Sequence, residues 1–210
     1  MLEYQQRSAA GEADGLLVLH HGRGTDESDL LPLGELFDAE RRLHVVAPRA
    51  PLRLPGSPGA HWYLVPRVGH PDAETFHAAF AQLAELHDEL WERTGLAAER
   101  TVFGGFSMGT VMSYALGLAA ERPAPAGIIA FSGFVPTVEG WRPSLADRQE
   151  TGVFIAHGRR DPVLDVEYAR QARALLEEGG LEVEYHESDV AHQIDAGALR
   201  AATRWVSRIL

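Results

Sequence analysis

The hydrophobic positions of this 210-residue chain follow two alternating patterns. Short, nearly continuous runs of Val, Ile, Leu and Phe predict strands, because a strand that is covered on both faces has no polar side. These runs are residues 15–20, 44–47, 100–104, 127–131, 152–156 and 182–186. Longer stretches with apolar residues at i, i+3 and i+4 predict helices. These stretches are residues 30–39, 73–94, 107–120, 165–178 and 194–209.

This alternation of strands and helices predicts an α/β protein with a predominantly parallel central sheet and helices on both faces. The length predicts that residues 1–210 form a single domain. Two segments, residues 50–71 and 132–150, break the pattern, and the first is rich in Gly and Pro. Loops of this length in compact domains usually serve a function.

Composition excludes several classes of function. The formal net charge of −11 argues against nucleic acid or an anionic membrane as a partner, since both need a basic face. The chain has no cysteine, which excludes disulfides, a thiolate nucleophile and a thiolate metal site. Its first residues do not read as a signal peptide, so we expect a cytoplasmic protein.

The most informative motif is Gly105-Phe106-Ser107-Met108-Gly109. It follows a predicted strand and precedes a predicted helix, which is the context of the G-x-S-x-G nucleophile elbow. Glycine suits the positions on either side of the serine, because the turn is too tight for side chains there. A chance match is the alternative, so the motif depends on the residues that accompany it.

A serine nucleophile needs a base, and the base needs an acid to orient it; in this fold the chain order is Ser, Asp or Glu, then His. Asp161 and His192 follow two later predicted strands, and ligand sites of parallel sheets form at such strand ends. Asp161 could instead cap the next helix, and Asp165 and Glu167 are other acids close by. His186 competes with His192 but falls within a predicted strand, whereas a general base has to reach across from a loop.

The backbone N–H groups of Met108 and Arg23 are candidates for an oxyanion hole. Met108 follows the nucleophile, and Arg23 lies in a glycine-flanked turn after the first predicted strand. A simple turn is the alternative for Arg23. A metal site at His20 and His21 is disfavoured, because neighbouring strand residues point to opposite faces. We expect no cofactor and no metal.

Five motifs occur in order along the chain: LHHGRG, GFSMG, SGF, AHGRRDPV and AHQI. With them the chain resembles the phospholipase/carboxylesterase family of α/β-hydrolases, small esterases without a large lid that include acyl-protein thioesterases and bacterial carboxylesterases. The resemblance runs from about Leu16 to the C-terminus.

The resemblance implies the α/β-hydrolase fold and three sets of site residues. These are the catalytic residues Ser107, Asp161 and His192, the oxyanion donors Arg23 and Met108, and the substrate-pocket residues Trp62, Tyr63 and Phe134. Acyl-protein thioesterases usually carry Gln and then Gly-Gly after the nucleophile, whereas this chain has Met108-Gly109-Thr110. The departure favours a small-ester hydrolase of the bacterial type.

The sequence therefore predicts a cofactor-free serine hydrolase for esters with short acyl groups, with thioesters also open. We expect a small-molecule ester as the partner, and a homodimer stays open. Two alternatives remain: a non-hydrolytic ligand-binding member of the fold, or a perhydrolase, acyltransferase or amidase with the same triad. His87 is expected to be an ordinary surface or helix residue.

Overall fold

The computed structural model describes residues 2–53 and 56–210. Its strands are β1 (Tyr4–Arg7), β2 (Gly15–His20), β3 (Leu43–Pro48), β4 (Leu52–Arg53), β5 (Ala60–His61), β6 (Thr101–Phe106), β7 (Gly127–Phe131), β8 (Gly152–Gly158) and β9 (Val183–Ser188). Its α-helices are α1 (Leu33–Phe37), α2 (Ala73–Thr94), α3 (Met108–Leu118), α4 (Glu167–Glu178) and α5 (Ala196–Ile209).

Seven strands form one sheet in the order β1-β3-β2-β6-β7-β8-β9. Strands β2, β3 and β6 to β9 pair in parallel, whereas β1 is antiparallel to β3. The predominantly parallel sheet is thus confirmed. Strand β1 was not predicted, because its sequence Tyr-Gln-Gln-Arg has no apolar run and it lies at the edge of the sheet.

Helices cover both faces of the sheet, as predicted. On one face, α2, α3 and α4 bury a cluster that includes Phe76, Val111 and Leu176. On the other face, α1 and α5 bury a second cluster that includes Phe37 and Trp205. The apolar faces of the helices and the apolar strands therefore make two cores, with the sheet between them.

Several boundaries differ from the prediction. Helix α1 is shorter, and Pro32 immediately precedes its first residue. Strand β9 is only half-buried along its length, since it lies at the other edge of the sheet, so the expectation of cover on both faces is wrong there. His87 is a helix residue, as expected, but it is completely buried in α2.

The irregular segment 50–71 contains a small two-stranded ladder. Leu52 pairs with His61 and Arg53 with Ala60, and Ala60 also bridges to Thr25 after β2. Positions 54 and 55 of the segment lie outside the described residues. The ladder therefore holds the segment against the turn after β2, which contains Arg23, one of the two candidate oxyanion donors.

Candidate active site

Ser107 lies in a strained turn between β6 and α3. Its φ of 54° is in the left-handed region, which is uncommon for a residue with a side chain. A Cβ on Gly105 would lie 2.4 Å from the carbonyl carbon of Gly109, and one on Gly109 would lie 1.9 Å from the carbonyl oxygen of His20. Both glycines are therefore required by the close approach of neighbouring backbone, as the motif indicated.

The structure brings Ser107, His192 and Asp161 into one hydrogen-bonded row. His192 Nε2 lies 3.0 Å from Ser107 Oγ, and His192 Nδ1 lies 2.6 Å from Asp161 Oδ2. Asp161 follows β8 and His192 follows β9, and these strands are neighbours in the sheet. The arrangement lets the Ser107 hydroxyl donate to Nε2 while Nδ1–H donates to the carboxylate.

The Asp161 carboxylate is buried and accepts hydrogen bonds at both oxygens. Its Oδ1 accepts the N–H groups of Val163, at 2.8 Å, and Leu164, at 2.9 Å. Burial raises the pKa of the Asp161 carboxyl, but these two N–H groups and the His192 ring together bring it below its ordinary value. The carboxylate is therefore ionised at neutral pH and can orient the imidazole.

His157 is a second histidine beside the same carboxylate. Its side chain is completely buried, and its Nε2 lies 2.9 Å from the carbonyl oxygen of Leu164 and 3.3 Å from Asp161 Oδ2. The sequence analysis did not identify His157 as a residue of the site. The spacing of four residues from Asp161 was a weak signal, because 157–161 is a strand end and a turn rather than a helix.

Both candidate oxyanion donors have free N–H groups. Among residues 2–53 and 56–210, no backbone or side-chain acceptor bonds the N–H of Arg23 or of Met108. The turn that contains Arg23 is held in place, since the Gly24 N–H donates to the Ala60 carbonyl at 2.8 Å. The Met108 N–H begins α3, where the helix dipole favours negative charge.

A cavity of about 730 Å³ opens beside these groups. Its walls include Ser107, His192 and both candidate oxyanion residues. The predicted pocket residues Tyr63 and Phe134 also line it. Its rim carries exposed apolar side chains that sequence reasoning did not single out: Val65, Val68 and Val163.

Trp62 is not part of this lining. Its side chain is completely buried, and its Nε1–H donates to the carbonyl of His21 at 2.9 Å. Its backbone N–H lies 3.2 Å from the sulfur of Met108. The structure therefore places Trp62 behind the wall of the cavity, where it contacts residues at both candidate oxyanion turns.

Two other histidines, His20 and His87, lie in the core away from the cavity. His20 Nδ1 lies 2.8 Å from Ser113 Oγ, whereas both ring nitrogens of His87 have no partner among the described residues. Burial lowers the pKa of His20 to about 3, with a smaller contribution from His21, and also lowers that of His87. Both rings are therefore neutral across the physiological range.

Comparison with known proteins identifies the family. The model of the phospholipase/carboxylesterase family matches residues 6–210. The chain belongs to this family. It is accordingly a hydrolase of the esterase and thioesterase type, and no helix in the described part of the chain is long and apolar enough to span a membrane.

Two solved structures and one named relative are similar to the chain over nearly its whole length. The esterase PE8 structure is 31% identical, with a TM-score of 0.85 over 100% of this chain and 99% of the other. The Bacillus cereus carboxylesterase structure is 25% identical, with a TM-score of 0.86 over 100% and 95%. Acyl-protein thioesterase 1 of Debaryomyces hansenii is 27% identical over 97% of this chain and 94% of its own length.

Proposed function

We propose that this family member is a serine hydrolase that cleaves carboxylic esters with small or short acyl groups. The observation that supports it most directly is the row of hydrogen bonds from Ser107 Oγ through the His192 ring to Asp161. This row opens into a cavity that Met108 and Arg23 also line, and the N–H groups of both residues have no acceptor among residues 2–53 and 56–210. Nucleophile, base, orienting acid and oxyanion donors are thus all available at one place.

In the first half of the reaction, His192 Nε2 removes the hydroxyl proton as Ser107 Oγ attacks the acyl carbon. The carbonyl oxygen becomes negatively charged, and the N–H groups of Arg23 and Met108 stabilise that charge. The tetrahedral intermediate then collapses, and the alcohol leaves with the proton from His192. The product of this half is an acyl-enzyme on Ser107.

In the second half, water takes the place of the alcohol. His192 removes a proton from the water, which attacks the acyl carbon, and the acid leaves as Ser107 regains its proton. Asp161 stays ionised throughout and stabilises the imidazolium that forms in each half, since its hydrogen bonds keep its pKa low. A thioester would follow the same route with a thiol as leaving group.

The substrate preference follows from the cavity. Its mouth is bounded by exposed side chains such as Val65 and Val68, so an ester can enter from solvent. Tyr63 and Phe134 provide apolar surface beside Ser107 for a small acyl group. We therefore expect acetyl and butyryl esters to be better substrates than long-chain esters.

The test is a series of p-nitrophenyl esters of increasing acyl length, assayed with the wild type, Ser107→Ala and Ser207→Ala. Ser207 is an exposed residue of α5 and is the matched control. We expect the highest kcat/KM for the short esters, a loss of at least about 10³-fold in Ser107→Ala, and no change in Ser207→Ala. Wild-type turnover by Ser107→Ala would contradict the nucleophile, and a preference for long chains would contradict the short-acyl proposal.

A further inference from the structure

Two arginines line the cavity beside Ser107 without a carboxylate to neutralise them. Neither Arg23 nor Arg67 forms an ion pair with any acid of the described residues. Some arginines pair with acids, such as Arg49 with Glu27 at 2.8 Å and Arg122 with Asp88 at 2.6 Å, whereas others, such as Arg142, have no acidic partner among the described residues. What distinguishes Arg23 and Arg67 is that both line the cavity that contains Ser107, on a chain of net charge −11.

The turn that holds Arg67 is closely constrained. The Arg67 guanidinium donates to His70 Nε2, and the His70 N–H donates to the Arg67 carbonyl at 2.9 Å. Gly69 between them has a φ of 80°, and a Cβ there would lie 2.2 Å from the Tyr168 hydroxyl oxygen. The guanidinium is thus anchored from its own turn, and His70 brings no negative charge to compensate it.

Arg23 reaches the cavity from a different loop. Its turn is fixed by the Gly24 N–H bond to Ala60 and by the Thr25 hydroxyl, which donates to the Gly22 carbonyl at 3.1 Å. The side chain itself is exposed, and its positive charge contributes to lowering the pKa of His61, after the larger effect of burial. Two independently fixed loops therefore each bring an arginine to the same cavity.

The charge balance of the cavity is opposite to that of the protein. Among the described residues, Asp29 is the one acid that lines the cavity, against two arginines, and the other titratable side chains of its walls are Tyr63, His70 and His192. Low-dielectric walls strengthen the field of unpaired charges inside a cleft. A guanidinium presents paired N–H donors that match a carboxylate, so this field attracts and orients a carboxylate rather than a neutral or cationic group.

We propose that this cavity selects esters that carry a carboxylate in addition to the scissile ester, with Arg67 and Arg23 binding that carboxylate. The proposal rests on the ester hydrolase function proposed above and names its substrate class. Because both side chains are solvent-exposed, the carboxylate lies at the mouth, and the scissile carbonyl lies deeper, at Ser107. The carboxylate belongs either to the acyl part or to the alcohol part of the ester.

The experiment compares two matched pairs of esters. In the first pair, methyl hydrogen glutarate carries a carboxylate on its acyl part and methyl pentanoate is its neutral counterpart. In the second pair, 4-acetoxybenzoate carries a carboxylate on its alcohol part and phenyl acetate is its neutral counterpart. Each ester is assayed with the wild type, Arg67→Gln, Arg23→Gln and Arg142→Gln. Arg142 is an exposed arginine without an acidic partner among the described residues and lies outside the cavity lining, so it controls for the change in net charge.

The measured quantity is the ratio of kcat/KM for the charged ester to that for its neutral partner. We expect a higher ratio for one of the two pairs in the wild type, and that pair identifies the side that carries the carboxylate. The ratio should fall about fivefold in Arg67→Gln and in Arg23→Gln, mainly through KM, as expected for one exposed ion pair. It should stay unchanged in Arg142→Gln.

The inference is overturned if neutral esters are hydrolysed but the ratio is the same in the wild type, Arg67→Gln and Arg23→Gln. An equal fall in Arg142→Gln also overturns it, because the effect would then come from the overall charge. If the chain is not an ester hydrolase at all, the experiment gives a different result. In that case the wild type hydrolyses neither neutral nor charged esters faster than Ser107→Ala does, and both proposals are wrong.

Discussion

Two groups of histidines in this molecule show how surroundings decide what an imidazole can do. His192 and His157 both contact the Asp161 carboxylate, and His192 also reaches Ser107 and the cavity. His20 and His87 lie against each other in the core, with ring centroids 5.6 Å apart, and three of their four ring nitrogens have no partner in the described part of the chain. The residue type is the same, but only the first group contacts an acid, and of its two members only His192 has a route to substrate.

The contrast extends to stability. A buried imidazole without partners is disfavoured when it is charged, so the core pair stays neutral and opposes folding once the unfolded chain begins to bind protons. His192 is 18% exposed and bonded at both nitrogens, so it can accept a proton from Ser107. Substitutions in the first group should therefore change activity, and substitutions in the second should change stability.

The largest effect is expected at the acid. Asp161→Asn should lower kcat by roughly 10³- to 10⁴-fold, because an amide does not enforce the imidazole tautomer that takes the serine proton. The measurement is the kcat for p-nitrophenyl butyrate, with Asp165→Asn as the matched control. Among the described residues, the Asp165 carboxylate accepts a hydrogen bond only from the nearby Glu167 N–H, at 2.9 Å, so its variant should behave as wild type. A fall of less than tenfold in Asp161→Asn would contradict the assigned role.

A smaller effect is expected at His157, which acts through Asp161 as a positioning residue. His157→Leu should lower kcat roughly tenfold with little change in KM, because the Leu164 carbonyl loses its partner and Asp161 Oδ2 loses the ring nitrogen that lies 3.3 Å from it. His157→Gln supplies an amide donor and should recover part of the rate. If kcat falls equally in His157→Leu and His157→Gln, or if only KM changes, His157 does not position the acid.

In the core pair, the expected change is in the pH dependence of stability. The folded-state pKa of His87 is lowered, so the unfolded chain binds the extra proton first, and the free energy of unfolding falls as pH decreases below about 6.5. His87→Leu should reduce this slope by about 1.4 kcal/mol per pH unit at most, without lowering activity. Urea unfolding at pH 7 and pH 5 measures the difference.

His87→Asn separates titration from polarity at the same position. It removes the titration and should flatten the slope as Leu does, but it buries an amide without partners and should lower stability at pH 7 by about 1–3 kcal/mol. His87→Leu should be neutral or stabilising at that pH. A wild-type slope in both variants would show that His87 does not contribute to acid destabilisation.

The contrast between the two groups also shows what sequence could reveal. The apolar runs and the elbow motif predicted the sheet and the placement of Asp161 and His192, because the carboxyl ends of β8 and β9 meet at one edge. The burial of His87 was not predictable from its helical position alone. It depends on the ring of Phe103, which stacks on it at 4.5 Å from another element.

Trp62 illustrates the same limit within the site. An aromatic residue in a Gly- and Pro-rich segment is typical of a pocket wall, but the ladder of β4 and β5 turns its indole inward. There its N–H finds the His21 carbonyl, a partner 41 positions away in sequence. Long-range contacts of this kind, and the polar edge strand β1, leave no local pattern for sequence analysis to detect.

The most direct test of the central claim is covalent labelling of Ser107. A fluorophosphonate reacts with a serine that an adjacent base activates, and intact-mass and peptide analysis locate the adduct. We predict one adduct per chain on Ser107, none on the Ser107→Ala variant, and much slower labelling of His192→Ala. An unlabelled wild type, or an adduct on a serine other than Ser107, would contradict the claim that this row of residues is a catalytic triad.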